Sequence, residues 1–203
     1  MKYTGPKIKK ARRLGIALTP KSEKYLERRP NPPGQHGPGR RRGKQSDYGR
    51  QLTEKQRLRY QYNLSEKQLR NVYAKAVRKP GNAGEVMVQM LESRLDVVIL
   101  RAGMARTIYQ SRQMVSHGHY RVNGQKVNIP SYQVRPGEGI EVKGKSRQAT
   151  AILEAMETVI RRGIPGWVEL DKENFRGIFK AYPTREDLTM PIQEQLIIEL
   201  YSK

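Results

Sequence analysis

Arg106, Gln110, Gln113 and His117 stand at i, i+4, i+7 and i+11. In a helix that spacing keeps four hydrogen-bonding side chains on one exposed line. Arg112 lies beside the line, and Arg121, Asn123 and Lys126 follow shortly after it. A guanidinium presents a planar fork to phosphate and also stacks on bases. The chemistry these residues offer is the holding of a folded polyanion.

Catalytic constellations are missing from the sequence. His117 and His119 are two apart, not the i, i+4 spacing of a helical zinc pair. The glycine- and arginine-rich run at 37–43 matches neither a P-loop nor a dinucleotide fingerprint. Glu169, Asp171 and Glu173 alternate around a turn and read as a solvated edge rather than a general acid/base pair. No Ser, Cys or Lys stands in a nucleophile motif. The chain has no cysteine, which excludes disulfides and Cys-ligated zinc. The expectation is a protein with no enzymatic activity, no metal and no cofactor.

Charge says where a polyanion would bind. The 203 residues hold 40 Lys+Arg against 19 Asp+Glu, a net charge of +21. Repulsion on that scale calls for a polyanionic partner. Residues 1–50 carry 15 basic and 3 acidic side chains, residues 51–160 carry 18 and 9, and residues 161–203 carry 7 and 7. The first three quarters should meet the polyanion, which should largely spare the neutral last quarter. No apolar run is long enough to span a bilayer, and no apolar signal core opens the chain. A soluble protein of the cytoplasm or of an organelle interior is expected.

The elements that must position the polar line are marked by their ends. Thr107 with Gln110 has the spacing of a capping box, and Gly118 is suited to the left-handed stop of the helix. A strand at 120–122 leads into Asn123-Gly124, the pair a type I′ hairpin turn prefers. Strands at 126–128, 132–134 and 140–143 follow, then a helix over 147–162. Two more strands are expected at 167–168 and 175–181, and an amphipathic helix at 192–200. Upstream, residues 51–79 read as two helices broken at Asn63-Leu64, the second opened by a Ser65/Gln68 capping box. Residues 85–102 read as one helix stopped by Gly103, with Arg94 and Arg101 together on one face. Residues 1–50 alternate proline, glycine and cations and read as a basic arm ordered on RNA. No helix shows the dense reading face of a major-groove binder, which favours RNA over DNA.

Arg94-Leu95-Asp96, the helix end from Arg112 to Gly118 and Val122-Asn123-Gly124 resemble the small RNA-binding module named after ribosomal protein S-four. That module also occurs in pseudouridine synthases and tyrosyl-tRNA synthetases. The flanks narrow the resemblance. Tyr3-Thr4-Gly5-Pro6, Pro33-Gly34-Gln35-His36-Gly37, Ser46-Asp47-Tyr48-Gly49, Leu91-Glu92-Ser93-Arg94-Leu95-Asp96 and the terminal Tyr201-Ser202-Lys203 are similar, end to end, to the bacterial-type ribosomal protein S-four family.

The resemblance implies an α+β, mainly helical fold. A helical body over 51–91 and about 187–203 would hold an inserted α-α-β module of the alpha-L type at 92–155. Residues 156–186 would extend the module, and a basic, largely irregular arm would fill 1–50. It implies a structural constituent of the small ribosomal subunit. Such a protein binds 16S rRNA at a junction in the five-prime domain and nucleates assembly. It helps form the entrance of the mRNA channel and tunes accuracy through ribosomal protein S-five, with S-three as a further neighbour. Candidate RNA contacts in the arm are Arg12, Arg13, Arg28, Arg29, His36, Ser46 and Tyr48, with Arg40, Arg41, Arg42 and Lys44 toward the channel. Lys55, Lys67 and Arg70 add contacts in the body, and Arg94 joins the module's set. Many relatives hold the arm with a cysteine-ligated zinc; here the positions of the first pair correspond to Ile8 and Ala11. The rivals are an RNA-modifying enzyme with the same module, for which the chain has little room, and a DNA-compacting protein.

Overall fold

The computed structural model describes residues 3–35, 37, 46–187 and 193–202, with only the backbone at 160–162. His36, Arg40, Arg41, Arg42 and Lys44 lie outside the described residues. In chain order come α1 (Lys7–Leu14), α2 (Pro20–Arg28), α3 (Asp47–Gln61), α4 (Glu66–Val77), α5 (Ala83–Glu92), α6 (Leu95–Arg101) and α7 (Ile108–Ser116). Then follow β1 (Tyr120–Val122), β2 (Gln125–Lys126), β3 (Gly139–Val142), a 3-10 turn at Gly144–Ser146, α8 (Thr150–Arg162), β4 (Val168–Asp171), β5 (Arg176–Phe179) and α9 (Glu194–Ser202). The fold is α+β and mainly helical. It forms two compact units, one of Met1–Gly84 with Met190–Lys203, the other of Glu85–Thr189.

The first unit is built from both ends of the chain. Its best-packed pair is α3 with α9. Leu58, Leu64, Leu69, Ala76 and Ile197 are buried in it. The expected Ser65/Gln68 capping box is present, with both reciprocal hydrogen bonds. Tyr201 of α9 stacks on Tyr73 of α4 with ring centroids 4.9 Å apart.

The arm holds more regular structure than its composition suggests. Thr19 caps α2, Pro20 takes the first helical position, and the fully buried Ser22 accepts hydrogen bonds from the Leu18 and Thr19 amides at 2.9 and 2.8 Å. Gly15, at φ +69°, stops α1. Arg12 then clasps the chain beyond α2: Nε donates to the Arg29 and Asn31 carbonyls at 3.2 and 3.1 Å, and Nη2 to the Asn31 carbonyl at 2.8 Å. Arg57 of α3 donates to the Leu14 carbonyl at 2.9 Å. Tyr3 meets Tyr60 edge-on at 5.5 Å, with the Lys10 ammonium 5.3 and 5.5 Å from the two rings. Side-chain cations acting on carbonyls and rings add to the burial of Ala11 and Leu14.

The second unit packs α6, α7 and α8 on an antiparallel five-stranded sheet of order β2-β1-β3-β5-β4. Leu95, Ile99, Val115, Tyr120, Ile140, Ile152 and Phe179 form its centre. Gly103, at φ +76°, lies so close to Val159 that a side chain there would overlap it. The helix expected at 85–102 and the strand expected at 132–134 differ from the outcome. The helix expected over 85–102 breaks at Ser93 and Arg94. Carbonyls from another loop open α6 instead: Leu95 N–H donates to Tyr132 O at 2.8 Å and Asp96 N–H to Pro130 O at 3.2 Å. The strand expected at 132–134 shrinks, for the same reason, to a single bridge between Gln133 and Arg94.

Candidate RNA interface

The expected polar line on α7 divides in two. Thr107 accepts from the Gln110 amide at 3.2 Å, but Gln110 does not return the bond to its cap. Its Oε1 accepts from the Arg106 amide at 2.8 Å and its Nε2 donates to the Ala151 carbonyl at 3.2 Å. Gln110 is thereby occupied within the fold. Arg106 is exposed but paired with Glu154 at 2.9 Å, a surface pair of little net strength. Gln113 and His117 are exposed.

The corner after α7 forms as expected. Gly118 takes φ +72°, and the Lys126 side chain lies across it. Asn123 and Gly124 take φ +49° and +79°, the left-handed pair of the turn. The Asn123 carboxamide faces inward: its oxygen accepts from Gly139 N–H at 2.9 Å, while its own amide donates to Gly139 O at 2.8 Å. Asn123 thus ties the hairpin to β3. Arg121 and Lys126, opposite each other in register, are both exposed.

Two cations here were missed by sequence reasoning. Lys143 donates its amide to His119 O at 2.9 Å, which brings the end of β3 to the start of β1. His119 Nδ1 meets Ser146 Oγ at 2.9 Å and fixes the 3-10 turn that carries Lys145. The run Lys143-Gly144-Lys145-Ser146-Arg147 was the visible signal. Among the described residues, no ion pair engages Arg121, Lys126, Lys143 or Lys145.

Arg94 and Arg112 do not lie on the exposed surface. They are 4% and 6% exposed, against the fully buried Asp96. Arg94 grips that carboxylate through Nε and Nη2 at 3.0 and 2.8 Å. Arg112 reaches Oδ2 through Nε and Nη2 at 3.0 and 2.8 Å. Ser111 Oγ–H donates to the Asp96 carbonyl at 2.5 Å.

In the first unit, Arg13, Arg28, Arg29, Lys67 and Arg70 are exposed, and Tyr48 is 60% exposed. Arg12 is turned to the clasp described above. Ser46 caps α3 by accepting from the Gly49 amide at 3.2 Å. Lys55 is paired with Glu66 at 2.9 Å. Burial pushes the Glu66 carboxyl up, but hydrogen bonds from Lys55 and Tyr201, with the charges of Lys55 and Arg59, outweigh it and hold it below the usual value. Burial, then the bond to Glu66, raises the Tyr201 hydroxyl. Among the described residues, no group of side chains could hold a metal ion, and no helix is long and apolar enough to cross a membrane.

A helix pair stopped at a glycine, a hairpin beside it and a cationic corner define a protein built around an RNA-binding helix-and-hairpin module. Comparison with known proteins identifies that module. Residues 93–140 match the S4 domain, and residues 2–92 match the ribosomal protein S4/S9 N-terminal domain. The small ribosomal subunit protein uS4 of Chlorobium phaeovibrioides is 51% identical over 202 residues, covering 100% of this chain and 99% of the relative. That of Chlorobaculum tepidum is also 51% identical over 202 residues, with the same coverage. That of Anaeromyxobacter dehalogenans is 54% identical over 178 residues, 88% of this chain and 85% of its own. The chain belongs to the uS4 family of small-subunit ribosomal proteins, and it is a structural protein, not an enzyme.

Proposed function

We propose that this protein binds 16S rRNA directly in the five-prime domain of the small ribosomal subunit and nucleates assembly of the subunit body. The observation that carries this reading is the convergence of Arg121, Lys126, Lys143 and Lys145 on the glycine-stopped end of α7, with no described acid paired to any of them. A corner of that shape suits phosphates and 2′-hydroxyls across a folded junction. The exposed cations of α4, Lys67 and Arg70, offer a further contact in the other unit.

The same reading extends to the entrance of the mRNA channel, through Arg40, Arg41, Arg42 and Lys44, and to neighbouring ribosomal proteins. A groove of about 520 Å³ between α3 and α9, lined by Asp47, Arg50, Gln51, Leu196, Glu199 and Ser202, offers a seat of mixed charge and polarity for ribosomal protein S-five. Its mixed polarity accords with the neutral last quarter of the chain.

Filter binding to an RNA spanning the five-prime-domain junction tests the central claim. Log affinity should fall against log salt by about 0.7–0.9 per phosphate neutralised. Duplex DNA that competes as well as the junction would overturn the reading.

A further inference from the structure

One bulky residue of the second unit holds a backbone conformation that its side chain resists. Phe175, the last residue of the turn between β4 and β5, sits at φ +54°. A large L-residue is an outlier in that region, which glycine enters freely. The turn itself does not call for phenylalanine. Asp171 closes it: Oδ1 accepts from the Asn174 amide at 3.1 Å and Oδ2 from the Asn174 side chain at 2.7 Å. The Phe175 amide donates to the Lys172 carbonyl at 3.4 Å. A strained residue persists where its surroundings hold it, and such residues cluster where function needs them.

What holds Phe175 is the end of β3. Its carbonyl accepts from the amide of Val142, the last residue of that strand, at 3.0 Å. Its ring is partly buried against the core of the unit. The Arg147 guanidinium stands 5.7 Å from the ring centroid. Arg147 Nε reaches the Val142 carbonyl at 3.5 Å, and the Arg147 amide donates to Gly144 O at 3.2 Å. Phe175 and Arg147 thus take the two backbone groups of Val142, one each. Directly after Val142 come Lys143 and the 3-10 turn that carries Lys145. His119 holds that segment from its other flank, through the Lys143 amide and Ser146 Oγ.

We propose that Phe175 is a positioning residue for RNA binding: its ring, through Arg147, sets the 3-10 turn so that Lys145 meets a phosphate. This rests on the RNA-binding function proposed above. The face of an aromatic ring attracts a guanidinium through its quadrupole. A ring at position 175 therefore anchors Arg147, where an aliphatic side chain would only fill space. That accounts for phenylalanine at a position whose backbone suits glycine. Phe175 itself touches no RNA; it acts through the segment that Arg147 and Val142 tie down.

The test uses the full-length chain and the five-prime-domain junction RNA. Phe175→Gly suits the backbone but removes the ring. Phe175→Leu keeps apolar bulk, should the glycine variant fold poorly. Either should flatten the salt slope by about 0.7–0.9, the loss of one phosphate, although neither removes a charge. Affinity should fall roughly threefold or more. Arg147→Lys also keeps its charge and should do the same, whereas Phe175→Tyr keeps the ring and should bind like the unsubstituted chain. Lys145→Ala should weaken binding. Adding Phe175→Leu to it should bring no further loss, because both act through one contact. Slopes are read at a temperature where circular dichroism shows every protein folded. A full slope in Phe175→Leu, additive losses in the double variant or unaltered binding by Lys145→Ala each overturns this proposal alone. If the unsubstituted chain fails to bind the junction at all, the function reading falls and this proposal with it.

Discussion

The hydroxyl of Tyr201 donates a 2.9 Å hydrogen bond to Oε1 of Glu66, 135 residues earlier in the chain. The same oxygen receives the Lys55 ammonium at 2.9 Å, and that ammonium lies 5.6 Å from the Tyr201 ring. One carboxylate thereby gathers α3, α4 and α9.

That carboxylate gives the unit an acid-sensitive joint. The folded-state value of Glu66 lies below the ordinary glutamate value. The stability it contributes is therefore present above the ordinary value, about 4.3, and is lost as pH falls through the lowered one. Melting curves from neutral pH downward should show Glu66→Gln less stable at neutrality, with the gap closing in acid. The pair is partly exposed, so the gap is modest. Parallel curves at every pH would refute the assignment.

Arg12 should matter to the arm more than its neighbour Arg13 does. Arg12 closes α1 against the carbonyls beyond α2, whereas Arg13 is exposed. Arg12→Ala should speed tryptic cleavage within residues 7–32 of the RNA-free protein several-fold. Arg13→Ala should not, beyond loss of its own cleavage site. Equal protection in both would show that the clasp contributes nothing.

At the cationic corner, Arg121→Ala and Lys126→Ala should each weaken junction binding without loss of melting temperature. Each should flatten the salt slope by about 0.7–0.9. Arg106→Ala should cost less, because Glu154 already neutralises it. A larger loss at Arg106 than at Arg121 would move the interface from the hairpin to the helix.

Gly103 should tolerate no side chain. Its positive φ costs an L-residue roughly 1–2 kcal/mol, and crowding against Val159 adds about 1–3 kcal/mol. Gly103→Ala should therefore lower the melting temperature of the module sharply. A neutral substitution would show that α8 moves aside.

What the sequence revealed was local. The Ser65/Gln68 box, the stops at Gly103 and Gly118 and the Asn123-Gly124 turn depend on residues a few positions apart, and all are present. What it concealed depended on distant partners. The break at Arg94 is made by carbonyls of residues 130 and 132. The arm helices were masked by composition, although Thr19-Pro20 with Ser22 is a readable start signal. Arg94 and Arg112 look like surface cations because arginine usually is one. The Asp96 two residues from Arg94 was the only local hint of their burial.

The first unit draws on both ends of the chain, and this sets an order of events during synthesis. Glu85–Thr189 is synthesised in full before α9, the helix that α3 packs against. Domains fold as units as they emerge, so the module can bind its ligand first. The unit that carries the arm closes only when the last helix arrives, and a prematurely ended chain would keep a working module on an open body.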